Sequence, residues 1–105
     1  MREKKTPKAI LKRCELISDL FRSLSHPARL KVLCHLSTGE KSVTELVASC
    51  SVSQPAMSQF LRRMKNEGIL ESRREWNKIY YAIADKRLFL ILKAIKKIYR
   101  GDIRG

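Results

Sequence analysis

Metal- and disulfide-forming residues are scarce in this chain. Its 105 residues hold two histidines, His26 and His35, and three cysteines, Cys14, Cys34 and Cys50. An odd number of cysteines without a Cys-x-x-Cys pair argues against a disulfide framework and against a structural zinc site. Four glycines leave no phosphate-cradling loop, and no Ser/His/Asp arrangement stands out. Acidic residues number only 10 against 23 lysines and arginines. With so few Asp, Glu and His, a hydrolytic site is not expected, and the chain reads as a non-enzyme without a cofactor. No apolar run approaches the length of a membrane span. The basic start, MREKKTPK, is followed by Lys12, Arg13, Glu15 and Asp19, which is unlike a signal peptide. A cytoplasmic location is expected.

What is present in excess is positive charge. The formal charge is +13 and the pI about 10.2, which favours a polyanionic partner, nucleic acid first and an anionic membrane surface second. Hydrophobic residues make up 44% of the chain, enough for one globular domain of this length. We expect a loose basic tail over residues 1–7, a single domain over 8–100 and a frayed tail over 101–105. A monomer of this size buries a limited core, so an oligomer has stability to add.

The informative stretch is VTELVASCSVSQPAMSQFLRRMKNEG, residues 43–68. Val43, Leu46 and Val47 anchor a short helix. A second helix starts at Ser53, whose hydroxyl can cap the first turn, with Pro55 just inside. Met57, Leu61 and Met64 share one stripe, while Ser58, Gln59, Arg62 and Asn66 fall roughly opposite with Pro55. Gln pairs bidentately with adenine and Arg with guanine, so this face suits a DNA groove. The pair reads as a helix-turn-helix over 43–67, its second helix reading double-stranded DNA.

The flanks extend the pattern. Ile10, Cys14, Ile17, Phe21 and Leu24 form a stripe widened by Leu11, Leu16 and Leu20, predicting one helix over 8–24 with more apolar face than a small core needs. Ser25 is the expected N-cap of a helix that begins near Pro27 and carries Leu30, Leu33 and Cys34 on one face. Gly39 ends that helix. Residues 69–74 and 78–84 read as two strands joined through Glu75, Trp76 and Asn77, with Ile79, Tyr81 and Ile83 alternating. Arg73, Arg74 and Lys78 lie near the tip of this hairpin, as candidates for backbone phosphate or the minor groove. The last helix, over 86–100, has an apolar face of Leu88, Ile91, Leu92, Ile95, Ile98 and Tyr99 and a basic face of Lys93, Lys96, Lys97 and Arg100. It can lie on a membrane; packing on the first helix and a second subunit is the simpler reading. The fold class is thus mainly α with a β-hairpin wing, in the order α-α-α-α-β-β-α. The segments 8–24 and 86–100 are the candidate dimerisation helices of a homodimer.

LSHPARLKVLCHL, SVTEL, SQPAMSQFLRRMKNEGIL and SRREWNKIYYAI together resemble the ArsR/SmtB family of bacterial winged-helix repressors, over Leu20 to Tyr99. The resemblance implies a homodimer through the first and last helices, a palindromic operator, and DNA contacts by Ser53, Gln54, Ser58 and Gln59. Where the family commonly has His this chain has Phe60, and where many members have Gly near the wing tip it has Trp76. Metal-sensing members carry Cys-x-Cys at the positions of Ser42 and Thr44, or Asp and His on the last helix. Asp85 is present there, but no His is, so a family-type metal site is not expected. The HlyU-like, sulfur- and redox-responsive subgroup is a better match, since its members have a Cys where Cys34 stands. Their second Cys falls at Arg100, leaving Cys14 as the candidate substitute. Cys34 reads first as packing, with a redox role alongside Cys14 as the other reading. A small-molecule effector is open. The competing function is a nonspecific nucleoid-associated or RNA-binding protein, separable by whether a defined palindromic footprint exists.

Overall fold

The computed structural model describes residues 7–102, with side chains to Arg100. Most of the expected basic and frayed tails therefore lie outside the described residues. Six α-helices and three strands follow in order: α1 (Lys8–Lys12), α2 (Cys14–Leu24), α3 (Pro27–Leu36), β1 (Lys41–Ser42), α4 (Val43–Cys50), α5 (Gln54–Asn66), β2 (Leu70–Glu75), β3 (Lys78–Ile83) and α6 (Lys86–Lys97). A π-helical turn over Ile98–Asp102 continues α6.

Two helix boundaries differ from expectation. The first helix is not continuous: Arg13, at φ −100° and ψ 8°, leaves helical geometry and separates α1 from α2. Ser25 does not cap α3. Its hydroxyl donates to the Arg22 carbonyl oxygen at 2.8 Å and so closes α2. The cap is His26, whose Nδ1 accepts from the Arg29 amide at 3.5 Å, with Pro27 following it. Any side chain with an acceptor two or three bonds from Cα can serve there, which the usual Ser/Thr/Asp/Asn preference hides.

The sheet holds one strand more than the hairpin predicted. β1 pairs antiparallel with β3, giving the order β1-β3-β2. Two residues are too short to carry an alternation pattern, so only the tertiary pairing reveals β1. Ser42 then ends β1 and begins α4 with a reciprocal cap. Its hydroxyl accepts from the Glu45 amide at 3.1 Å, and the Glu45 carboxylate accepts from the Ser42 amide at 2.9 Å. These hydrogen bonds to Ser42 hold the Glu45 carboxyl below its ordinary pKa. Ser42→Ala is expected to lower stability by about 1 kcal/mol, as for other lost caps, read as a fall in the denaturant midpoint at unchanged slope.

The core is one cluster. Leu33, Leu36, Leu46, Met57, Leu61, Met64, Leu88 and Leu92 are fully or almost fully buried, with Val32, Cys50, Leu70 and Tyr81 among them. It joins α3, α4, α5, α6 and the inner face of the hairpin. Little of α2 reaches it: Leu24 is buried and Leu20 packs on its edge. Ile10, Leu11, Leu16, Ile17 and Phe21 are 40–57% exposed. The α6 side adds exposed Leu90, Ile98 and Tyr99. The chain measures 58 × 35 × 20 Å with a radius of gyration of 16.1 Å, against about 13 Å for a compact domain of this length. Among the described residues no helix is long and apolar enough to cross a membrane.

Candidate nucleic-acid interface

The presentation of α5 follows from its two ends and one stripe. Ser53, at φ −63° and ψ 156°, accepts the Ala56 amide on its hydroxyl at 3.3 Å, and Pro55 occupies the first turn, as the sequence predicted. Met57, Leu61 and Met64 have no exposed surface and fix the helix to the core. Their burial turns Pro55, Gln59, Arg62 and Asn66 outward, all exposed, with Ser58 half-buried on the flank and Gln54 exposed in the first turn. The sequence reading passed over Arg63. It is exposed, and it stands one helical turn after Gln59, so the same 3.6-residue period that gave Gln59 would have found it.

The far end of α5 is tied down by an ion pair. Glu67, its C-cap residue, accepts from Arg29 Nη2 at 3.1 and 3.3 Å, while Arg29 Nη1 donates to the Ser23 hydroxyl at 2.8 Å. The Arg29 side chain is only 14% exposed. One guanidinium thereby links α2, α3 and the reading helix. Phe60, at the family's His position, is half-buried and meets His26 edge to face, with ring centroids 5.6 Å apart. It is packing.

The wing is a six-residue pair joined by a two-residue turn at Trp76–Asn77. The register sets Arg74 opposite Ile79, Arg73 opposite Tyr80 and Glu75 opposite Lys78. Because side chains alternate across a strand, the three cations grouped by sequence are split between two faces. Arg74 shares the face of Ile79, Tyr81 and Ile83. Arg73 and Lys78 share the other. Arg73 is also engaged: it contacts Glu40 and Glu75, both at 2.5 Å, and its guanidinium lies 4.6 Å above the Tyr80 ring. The hydrogen bond from Arg73 keeps the Glu40 carboxyl below its ordinary pKa. Arg74 and Lys78 are exposed and in no ion pair among the described residues.

The candidate sensing positions have structural occupations. Ser42 is the cap described above. Asp85 caps α6, accepting the Arg87 and Leu88 amides at 2.9 and 3.3 Å. Burial raises its pKa, but hydrogen bonds from Arg87 and these amides outweigh that and leave it below the ordinary value. Cys34 is half-buried on α3. Burial pushes its thiol above the ordinary pKa, and the Lys96 ammonium offsets only part of this. Cys50 is buried and shifted the same way. Cys14 is exposed on α2, its thiol donating to the Ile10 carbonyl at 3.4 Å. All three cysteines are free. Among the described residues no three His, Cys, Asp or Glu side chains converge.

A capped helix docked by its apolar back, preceded by a short helix and followed by a β-hairpin, defines a winged helix-turn-helix DNA-binding regulator rather than an enzyme. Comparison with known proteins agrees. Residues 26–72 match the model of the bacterial regulatory protein arsR family. The biofilm growth-associated repressor of Agrobacterium fabrum is 37% identical over 91 residues, covering 87% of this chain and 78% of that protein. Among solved structures, the transcriptional repressor BigR from Xylella fastidiosa superposes with a TM-score of 0.82 at 34% identity, covering 90% of this chain and 97% of that one. HlyU from Vibrio cholerae follows at 0.79 and 26%, covering 85% and 97%. The chain belongs to the ArsR family.

Proposed function

We propose that this regulator acts in the cytoplasm as a homodimer on a palindromic operator, without the metal sites common in its family. The observation that carries the reading is the α5 face: Gln59 and Arg62 are exposed above a fully buried Met57–Leu61–Met64 stripe. Gln59, Arg62 and Ser58, with Ser53 and Gln54 at the helix start, read base edges or fix the helix on the backbone. Arg74 and Lys78 take phosphates. Arg73 supports them by holding the acidic groups of Glu40 and Glu75. The surplus apolar surface of α1, α2 and α6 supports dimerisation, and two copies related by a two-fold axis require a two-fold operator. Reading helices fixed by caps and ion pairs favour this over a nonspecific basic protein, which needs charge alone.

Absence of a metal site is supported by the chemistry of the positions. Ser42 and Thr44 offer no soft thiolate, and Asp85, whose Oδ1 accepts the two cap amides, has no histidine on α6 to complete a ligand set. Any effector then acts elsewhere. A redox response through Cys34 with Cys14 is the weaker reading, since a thiol raised by burial is a poor nucleophile at neutral pH.

The test is footprinting of genomic fragments with the purified protein. Two protected half-sites about one helical turn apart are expected, and uniform, salt-dependent protection would reject the reading. Arg74→Ala should weaken operator and random DNA alike and reduce the slope of log affinity against log salt by about one per protomer. A selective loss on the operator would assign Arg74 to base reading instead.

A further inference from the structure

The wing ends on the one tryptophan of the chain, and that residue stands in a doubly unfavourable place. Trp76 is 91% exposed, more than any other large hydrophobic side chain described. It is also at φ +59°, and of the two turn residues it alone has a positive φ. A two-residue hairpin turn of that form takes glycine at the first position, because a side chain there meets the backbone. A bulky aromatic at this point costs local stability and exposes apolar surface with no return inside the protomer.

The surroundings say what could supply that return. Trp76 is not part of an apolar patch: Arg74, Glu75, Asn77 and Lys78 around it are all exposed polar residues. A protein interface or a membrane surface calls for a contiguous apolar area. The tip is instead one aromatic ring with an exposed cation on each side of the ribbon, Arg74 on one face and Lys78 on the other, neither within ion-pair distance of a carboxylate among the described residues. Its only carboxylate, Glu75, is taken up by Arg73. An apolar wedge with positive charge on both flanks is complementary to a narrow groove walled by phosphates on both sides, which is the minor groove of duplex DNA.

We propose that Trp76 is a DNA-contacting residue that seats in the minor groove flanking each half-site, its indole against the sugar and base edges, with Arg74 and Lys78 on the phosphates of the two walls. The inference rests on the operator-binding reading above. The wedge favours flexible pyrimidine–purine steps in the flank, where partial unstacking costs least. This is specificity outside the sequence read by α5.

Because the chain has one tryptophan, its emission reports this site alone. Operator duplex is titrated into the protein while binding is followed separately by the anisotropy of a labelled strand. At saturation, indole emission should change and its quenching by acrylamide should fall sharply. Trp76→Gly should weaken operator binding at least roughly thirtyfold, the size expected when the dimer loses two aromatic contacts, without lowering the melting temperature, since glycine suits the turn. Trp76→Phe should recover most of the affinity. Full acrylamide access at DNA saturation, or equal affinity in Trp76→Gly, would overturn the proposal while leaving operator binding intact. Protection that arises without DNA, as protein concentration rises, would assign the residue to a protein contact and overturn it too. No anisotropy change with any duplex would remove the operator reading itself, and this proposal with it.

Discussion

Phe21→Asp is expected to yield a folded monomer with severely reduced operator affinity. Phe21 is 55% exposed in the protomer and lies in the apolar stripe of α2 that the core does not use. Covering the exposed half of a phenylalanine side chain contributes about 1–1.5 kcal/mol, and burying an unpaired carboxylate there costs at least about as much again. In a two-fold interface each change counts twice, so roughly 4–6 kcal/mol is lost and dimer dissociation rises by about a thousandfold or more. DNA binding falls with it, because a monomer engages one half-site. Leu90→Asp on α6, exposed in the same way, should behave alike. Ile95 is the poorer choice: it is half-buried within the protomer, so a charge there would mix unfolding with dissociation. Sedimentation velocity alongside circular dichroism reads both. An unchanged dimer with native ellipticity would show that α2 and α6 do not form the interface.

That experiment depends on a distinction the sequence could not make. Periodicity identified Ile10, Leu11, Leu16, Ile17 and Phe21 as one broad apolar face, and correctly flagged it as too large for the core. It could not say that Leu24 and Leu20 alone reach the core, because a stripe records which residues avoid water, not which neighbour covers them. The same limit governs the wing. Alternation in Ile79, Tyr81 and Ile83 was legible, and the buried face matches it. The three cations were read as one cluster because they are close along the chain. Only the register, with Arg74 opposite Ile79 and Glu75 opposite Lys78, shows that they divide between faces, and only the approach of Glu40, 33 residues away, shows that Arg73 is already engaged. The reading helix was more fully legible, since its cap, its proline and its Met-Leu-Met stripe are all local signals. Where local rules were ambiguous, as at Ser25 and His26, the chain used the neighbour. Trp76 was visible as a departure from the family's pattern, but its positive φ and near-complete exposure come from the backbone of the finished turn.

Gln59→Ala should strip specificity from a protein that otherwise remains intact. Gln59 is exposed on α5, one helical turn ahead of Arg63 and away from the buried stripe, so stability should stay within about 0.5 kcal/mol of the parent. A bidentate contact to a base is worth about 1–3 kcal/mol of discrimination, and the dimer presents it twice. The ratio of operator to random-DNA affinity should therefore fall at least roughly thirtyfold, with random-DNA affinity and the salt slope unchanged because no charge is lost. A double-mutant cycle makes the assignment residue by base. If Gln59 reads an adenine, replacing that base pair in both half-sites should weaken the parent protein but scarcely affect Gln59→Ala. Every base position being additive with the substitution would mean that Gln59 faces no base edge, and that α5 lies in the groove rotated toward Arg62 and Asn66 or toward Arg63.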